Sequence, residues 1–171
     1  VEMGTYSMSL ATETTDLTIT DALTINPASG QEGGLDTGQA DLTLNGPLTV
    51  QAGGIGSSGG TITFGAGSND TSFSEYYTGM SLADTTFVLN TDLVINYLQL
   101  TGSSQLQTNG NTLTPTFLEI GMDSELDFAD IATEGITYLE LVGDSSITKS
   151  GELTLNRISL SGNELTLINE I

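Results

Sequence analysis

Leu98-Gln99-Leu100-Thr101-Gly102-Ser103-Ser104-Gln105-Leu106 recurs 20 residues later as Leu118-Glu119-Ile120-Gly121-Met122-Asp123-Ser124-Glu125-Leu126. A further 21 residues on comes Leu139-Glu140-Leu141-Val142-Gly143-Asp144-Ser145-Ser146-Ile147, and 19 after that Ile158-Ser159-Leu160-Ser161-Gly162-Asn163-Glu164-Leu165. Met80-Ser81-Leu82-Ala83-Asp84 is an earlier copy, 18 residues before Leu98. A spacing kept over this many copies marks a repeat architecture. In each copy, apolar-x-apolar makes a short strand with two inward side chains. A turn follows at Gly102, Gly143 or Gly162, where glycine adopts positive φ without strain. A second apolar point comes at Leu106, Leu126 with Phe128, Ile147, or Leu165 with Leu167, then a turn with Gly110, Gly135 or Gly151. A third apolar point, Leu113, Ile136 or Leu153 with Leu155, closes the coil. Three short strands and three corners per roughly 20 residues predict an all-β fold, a parallel β-solenoid.

The N-terminal half uses the same vocabulary with longer steps. Leu17 to Asn26 matches Leu42 to Gln51 at an offset of 25, and Phe87 to Asn96 is a third relative. The extra length falls in the Gly-rich stretches Pro27 to Gly38 and Ala52 to Gly60, which read as loops bulging from the rungs. A longer excursion, residues 65–79, carries Phe73, Tyr76 and Tyr77. The period runs through these excursions, so residues 1–171 form one expected domain, with residues 1–15 as an extended N-terminal arm. A leucine-rich-repeat horseshoe would need an Asn ladder and a helical return, and a β-sandwich would lack the 20-residue self-similarity.

Composition narrows the chemistry. Lys and Arg total 2 against 22 Asp and Glu, a formal charge of −20, with no His, Cys or Trp. A surface this acidic repels phosphate, so nucleic acid is not an expected partner. Catalytic triads, thiol nucleophiles, His or Cys zinc sites, disulfides and haem ligation lack their residues. No apolar run approaches the ~20 residues of a spanning helix, so membrane insertion is not expected. The chain opens at Val1 with no basic stretch behind it, as in a processed mature chain or an excised fragment.

The Leu-x-Leu-x-Gly-x-Ser units from Leu98 onward, with Ile158-Ser159-Leu160-Ser161-Gly162-Asn163-Glu164-Leu165-Thr166-Leu167, resemble the right-handed parallel β-helix of bacterial surface and secreted proteins. Autotransporter passengers and filamentous-haemagglutinin-like adhesins are of this kind. The likeness covers the second half of the chain well and the first half loosely. It implies an extracellular or cell-surface, non-enzymatic structural or adhesive role, and identifies no ligand.

Candidate sites follow from the stacking of rungs. Ser103, Asp123, Asp144 and Asn163 fall in one column at the first turn, with Asp127 and Asp130 close by in sequence. Asp123 above Asp144 places like charges together, which either a bound Ca²⁺ or solvent and salt must offset. The Gly-Gly-x-Gly-x-Asp pattern of calcium-binding nonapeptide rolls is absent. Phe73, Tyr76 and Tyr77 suit a glycan-stacking platform or an interface, or else a loop folded back on the flank of the solenoid. Asn69-Asp70-Thr71 fits the N-glycosylation sequon. Thr18, Thr20, Thr24, Thr43 and Thr49 hint at the threonine ranks of ice-binding solenoids, but the C-terminal rungs do not continue them.

Among 22 acids a glycosidase-like carboxylate pair can always be found, so a pair in sequence has no diagnostic value. A lyase would need a basic proton acceptor, and only Lys149 and Arg157 are present. The expectation is therefore a non-enzymatic extracellular structural or adhesive protein that either self-associates by end-to-end strand stacking into a surface filament or stacks on neighbouring β-helix rungs of a longer passenger. Glycan recognition through the Tyr-containing loop is the alternative, and a polysaccharide-acting β-helix enzyme the third reading.

Overall fold

The computed structural model describes residues 2–3, 8–9, 16–26, 34–74, 78–121, 125–127, 136–143, 146–148, 157–161 and 167–168, with backbone alone at 2–3, 8–9, 125–127, 146–148, 161 and 167–168. The path begins with β1 (Glu2–Met3) and β2 (Met8–Ser9). It continues through β3 (Leu17–Ile19), β4 (Leu23–Ile25), β5 (Gly34–Asp36), β6 (Leu42–Leu44), β7 (Leu48–Val50) and β8 (Gly54–Ser57). Next come β9 (Thr61–Phe64), a 3₁₀ turn (Ala66–Ser68), β10 (Ser72–Phe73), β11 (Gly79–Ala83), β12 (Thr86–Leu89) and β13 (Leu93–Thr101). The last elements are β14 (Gln105–Gln107), β15 (Leu113–Ile120), β16 (Glu125–Asp127), β17 (Tyr138–Val142), β18 (Ser146–Thr148), β19 (Ile158–Ser161) and β20 (Leu167–Ile168).

Among the described residues every strand pair is parallel, and each sheet is built from strands one coil apart. Sheet I holds β3-β6-β9-β12-β14, sheet II holds β1-β4-β7-β10, and sheet III runs through eight strands in the order β2-β5-β8-β11-β13-β15-β17-β19. A fourth, three-stranded sheet joins β16, β18 and β20. This is the expected all-β parallel β-solenoid. Among the described residues no helix is long and apolar enough to cross a membrane.

The repeat register holds across sheet III. Met80 pairs with Leu98, Leu98 with Leu118, Leu118 with Leu139, and Leu139 with Ile158. The predicted column Leu100–Ile120–Leu141–Leu160 forms in that order, with Leu82 continuing it above Leu100. Leu82, Leu100, Ile120 and Leu141 are buried, whereas Leu160, on the last strand of the sheet, is 44% exposed. In the first half, Leu17 pairs with Leu42 and Leu23 with Leu48, the offset of 25 read from sequence. One contiguous core runs from Ile19 to Leu141, and Phe64 meets Phe87 edge-on at 5.8 Å inside it.

Five features differ from expectation. The expected second column does not run continuously: Leu106 pairs with Phe87 in sheet I, while Leu126 pairs with Ile147 in the separate fourth sheet. The Gly-rich stretches contain strands, β5 and β8, inserted into sheet III. Their glycines serve close approach: a Cβ on Gly34 would lie 2.8 Å from the Gly54 carbonyl oxygen, and Gly54 and Gly79 would collide with the carbonyls of Gly79 and Tyr97.

Within the stretch 65–79, Ser72–Phe73 and Gly79 likewise belong to the coil, since β10 pairs with β7 and Gly79 opens β11. Within residues 1–15, β1 pairs with β4 and β2 with β5, so both segments belong to the chain's own stack.

Finally, two of the later rungs do not keep three separate strands. β13 and β15 are single strands of 9 and 8 residues that run through a corner. Leu93 and Ile95 face inward, then two residues pass before Leu98 and Leu100 do so again.

A buried hydroxyl column lines another corner. Thr85 Oγ1 lies 2.8 Å from the Ala83 carbonyl and 3.0 Å from Ser57 Oγ, and Ser104 Oγ donates to the Thr101 carbonyl at 2.6 Å. These hydroxyls are satisfied by carbonyls and by one another, as buried polar groups require, and the Thr101 carbonyl also accepts the Asp84 amide at 3.1 Å. No buried polar side-chain atom among the described residues is left without a partner.

Candidate functional site

The bend inside β13 and β15 determines what appears on the outside of sheet III. The ladder pairs Leu93 to Ile95 with Leu113 to Pro115, skips Asn96, and resumes with Tyr97 on Phe117. That skipped step rotates position 97 outward at the edge of sheet III, just before the Leu-x-Leu unit. Asn96 secures the bend by donating from Nδ2 to the Phe73 carbonyl at 2.9 Å.

Because the same position recurs each coil, its side chains stack. Tyr97 and Phe117 have ring centroids 5.2 Å apart at 35°, and Phe117 and Tyr138 are 4.5 Å apart at 38°. All three rings are half-buried. Arg157, next in the same sequence position, places its guanidinium carbon 4.8 Å from the Tyr138 centroid, a cation–π contact at the end of the ladder. Its carbonyl accepts the Leu139 amide at 3.0 Å, which holds the Arg157 backbone against the preceding rung.

Two residues further along each strand lies a polar column. Ser81 pairs with Gln99, Gln99 with Glu119, Glu119 with Glu140, and Glu140 with Ser159. Tyr97 donates its hydroxyl to Glu119 Oε2 at 2.9 Å, and Gln99 donates from Nε2 to Glu119 Oε1 at 2.8 Å. Tyr138 donates to Glu140 Oε2 at 3.3 Å, and Ser81 hydrogen-bonds Gln99 Oε1. The two carboxylates occupy successive rungs, a separation of ~4.8 Å along the stack, where like charges repel.

Their field acts on Tyr97. Burial, the hydrogen bond to Glu119, and the charges of Glu119 and Glu140 together push its phenol well above the ordinary tyrosine range. Tyr97 is therefore held as a neutral hydrogen-bond donor. The surface combines apolar ring edges with a row of carboxylate, amide and hydroxyl groups. Such a strip can pack against C–H surface and accept hydrogen bonds in register.

The sequence-derived candidates lie elsewhere. Phe73 stacks on Val50 in sheet II and is half-buried against the core. Tyr76 and Tyr77 lie outside the described residues. Asn69 is exposed, just after the 3₁₀ turn. Asp123, Asp144 and Asp130 lie outside the described residues, as does the side chain of Asp127, whose backbone belongs to β16. Ser103, the one described member of the proposed turn column, donates its amide to Asp84 Oδ1 at 2.9 Å. The threonines come into register separately, Thr18 with Thr43 and Thr63 on sheet I, Thr24 with Thr49 on sheet II.

The ladder residues Tyr97, Phe117, Tyr138 and Arg157 were missed by reading the repeat as starting at its first leucine. Each immediately precedes the apolar-x-apolar unit of its copy (Leu-x-Leu, Leu-x-Ile or Ile-x-Leu), so a repeat longer by one residue aligns them. Comparison with protein-family models, curated proteins and solved structures finds no match to this chain.

Proposed function

We propose that this chain is a non-catalytic adhesive scaffold of the cell surface or extracellular space, and that it binds carbohydrate on the outer face of sheet III. The observation that carries the proposal is the three-rung ladder of Tyr97, Phe117 and Tyr138 beside Gln99, Glu119 and Glu140. Sugars present C–H surface and hydroxyl donors at once. Aromatic side chains with a polar handle, flanked by oriented acceptors, match both features. The surplus negative charge supports an adhesive surface that resists nonspecific contact. Filament formation is a separate proposal, supported by parallel ladders that another strand can extend, and negative-stain microscopy of the full chain reads it directly.

Affinity electrophoresis of the full chain through gels containing soluble polysaccharides tests the carbohydrate reading. Retardation by at least one polysaccharide is expected, weakened about tenfold in Phe117→Ala, which corresponds to about 1.4 kcal/mol. A control change on sheet I, Thr43→Ala, should leave retardation intact. Free migration in every gel, or retardation indifferent to Phe117→Ala, overturns the proposal. Release of new reducing ends from a retained polysaccharide overturns its non-catalytic part.

A further inference from the structure

Resting on the carbohydrate reading, we infer that the ligand is an amine-bearing hexose polymer lying along the stack axis, with one of its ammonium groups between Glu119 and Glu140. The direction follows from the repeat. Successive rungs advance by ~4.8 Å, close to the advance per residue of an extended 1,4-linked hexose chain. A polymer parallel to the axis therefore meets Tyr97, Phe117 and Tyr138 one sugar at a time, in the order that the ladder sets. A polymer running along the strands would meet only one ring.

Charge decides the chemistry. Glu119 and Glu140 occupy adjacent rungs on a chain of formal charge −20, so a polyanionic glycan is repelled and a cation between the two carboxylates relieves their repulsion. Hydrogen bonding agrees. A carboxylate offers about four acceptor sites, and Glu119 receives one bond on each oxygen, from Tyr97 and Gln99. Glu119 thus retains acceptor capacity that a donor-rich ammonium fills with charge-assisted bonds. A basic peptide would satisfy the carboxylates, but its flexible stems lack the regularly spaced rings that match the ladder.

Isothermal titration of the full chain at low ionic strength decides among these, using chitosan oligosaccharides of one to six residues, their fully N-acetylated counterparts, and oligolysine of matched charge. The amine-bearing series should bind about tenfold more tightly than the acetylated one, a difference of about 1.4 kcal/mol. Its affinity should rise with length until three rungs are spanned, and the preference should shrink with added salt. In the Glu119→Gln/Glu140→Gln double variant, with circular dichroism reporting the fold, the affinity ratio of the two series should fall to near one. Equal binding of both series that remains sensitive to Phe117→Ala overturns the amine assignment and leaves the carbohydrate reading standing. Oligolysine binding as tightly as the amine-bearing sugar overturns the choice of a sugar. No binding by any glycan overturns both.

Discussion

Tyr97 carries a prediction that its neighbours dictate. Its phenolate is disfavoured by burial, by the bond it gives Glu119, and by the charges of Glu119 and Glu140. In the unfolded chain the same phenol ionises near ~10. The stability conferred by this raised pKa is complete below about pH 10 and is lost as the pH climbs from there through the folded-state value. Urea unfolding between pH 9 and pH 11 should therefore show a steeper decline for the wild type than for Tyr97→Phe. Parallel declines would remove the coupling to Glu119.

Glycine provides a second test at this scale. Gly79→Ala sets a methyl against the Tyr97 carbonyl and should destabilise by about 1–3 kcal/mol. Gly56→Ala, whose nearest neighbours would sit at 3.9 and 4.0 Å, should be neutral or stabilising by up to about 1 kcal/mol. Thermal melts of the two variants, side by side, separate close approach from mere strand propensity.

At the scale of the strand, Leu141 is buried between Ile120 and Leu160 in the inward column of sheet III. Leu141→Asp places an unpaired carboxylate there and should cost about 3 kcal/mol or more, measured by chemical denaturation. A loss below 1 kcal/mol would mean that the rung shifts to expose the position. This column was legible in sequence because Leu-x-Leu alternation fixes which side chains point inward, and the spacing fixes which rungs meet. The strands β5 and β8 were not legible, because glycine signals turns in isolation. Its second use, making room for a neighbouring carbonyl, depends on rungs distant in sequence.

Phe73 illustrates the same limit. On a polar stretch it suits both an exposed platform and a ring folded back on the flank, and two residues of β-pairing with β7 decide between them by laying it on Val50. The aromatic ladder was hidden by the bend in β13 and β15. Strict alternation carried back from Leu98 and from Leu118 leaves the residue before each as an ordinary outward position, and gives no reason for it to be aromatic.

For the whole molecule, charge is the dominant property: −20 on 171 residues, with only two basic side chains. Repulsion among these charges opposes compaction and weakens as the screening length falls from ~30 Å at 0.01 M salt to ~8 Å at 0.15 M. The melting temperature should rise over that interval in sodium chloride. A flat or falling response would show that attractive pairs outweigh repulsion.

The stacked rings also give the molecule a signal of its own. With no tryptophan and only five tyrosines in the chain, near-ultraviolet absorption comes from few groups, and Tyr97, Phe117 and Tyr138 hold theirs at fixed tilt and short range. Transitions coupled in this way report their mutual orientation as circular dichroism. Melting of sheet III, or a molecule settling on its outer face, becomes visible as a change in optical rotation without any label attached.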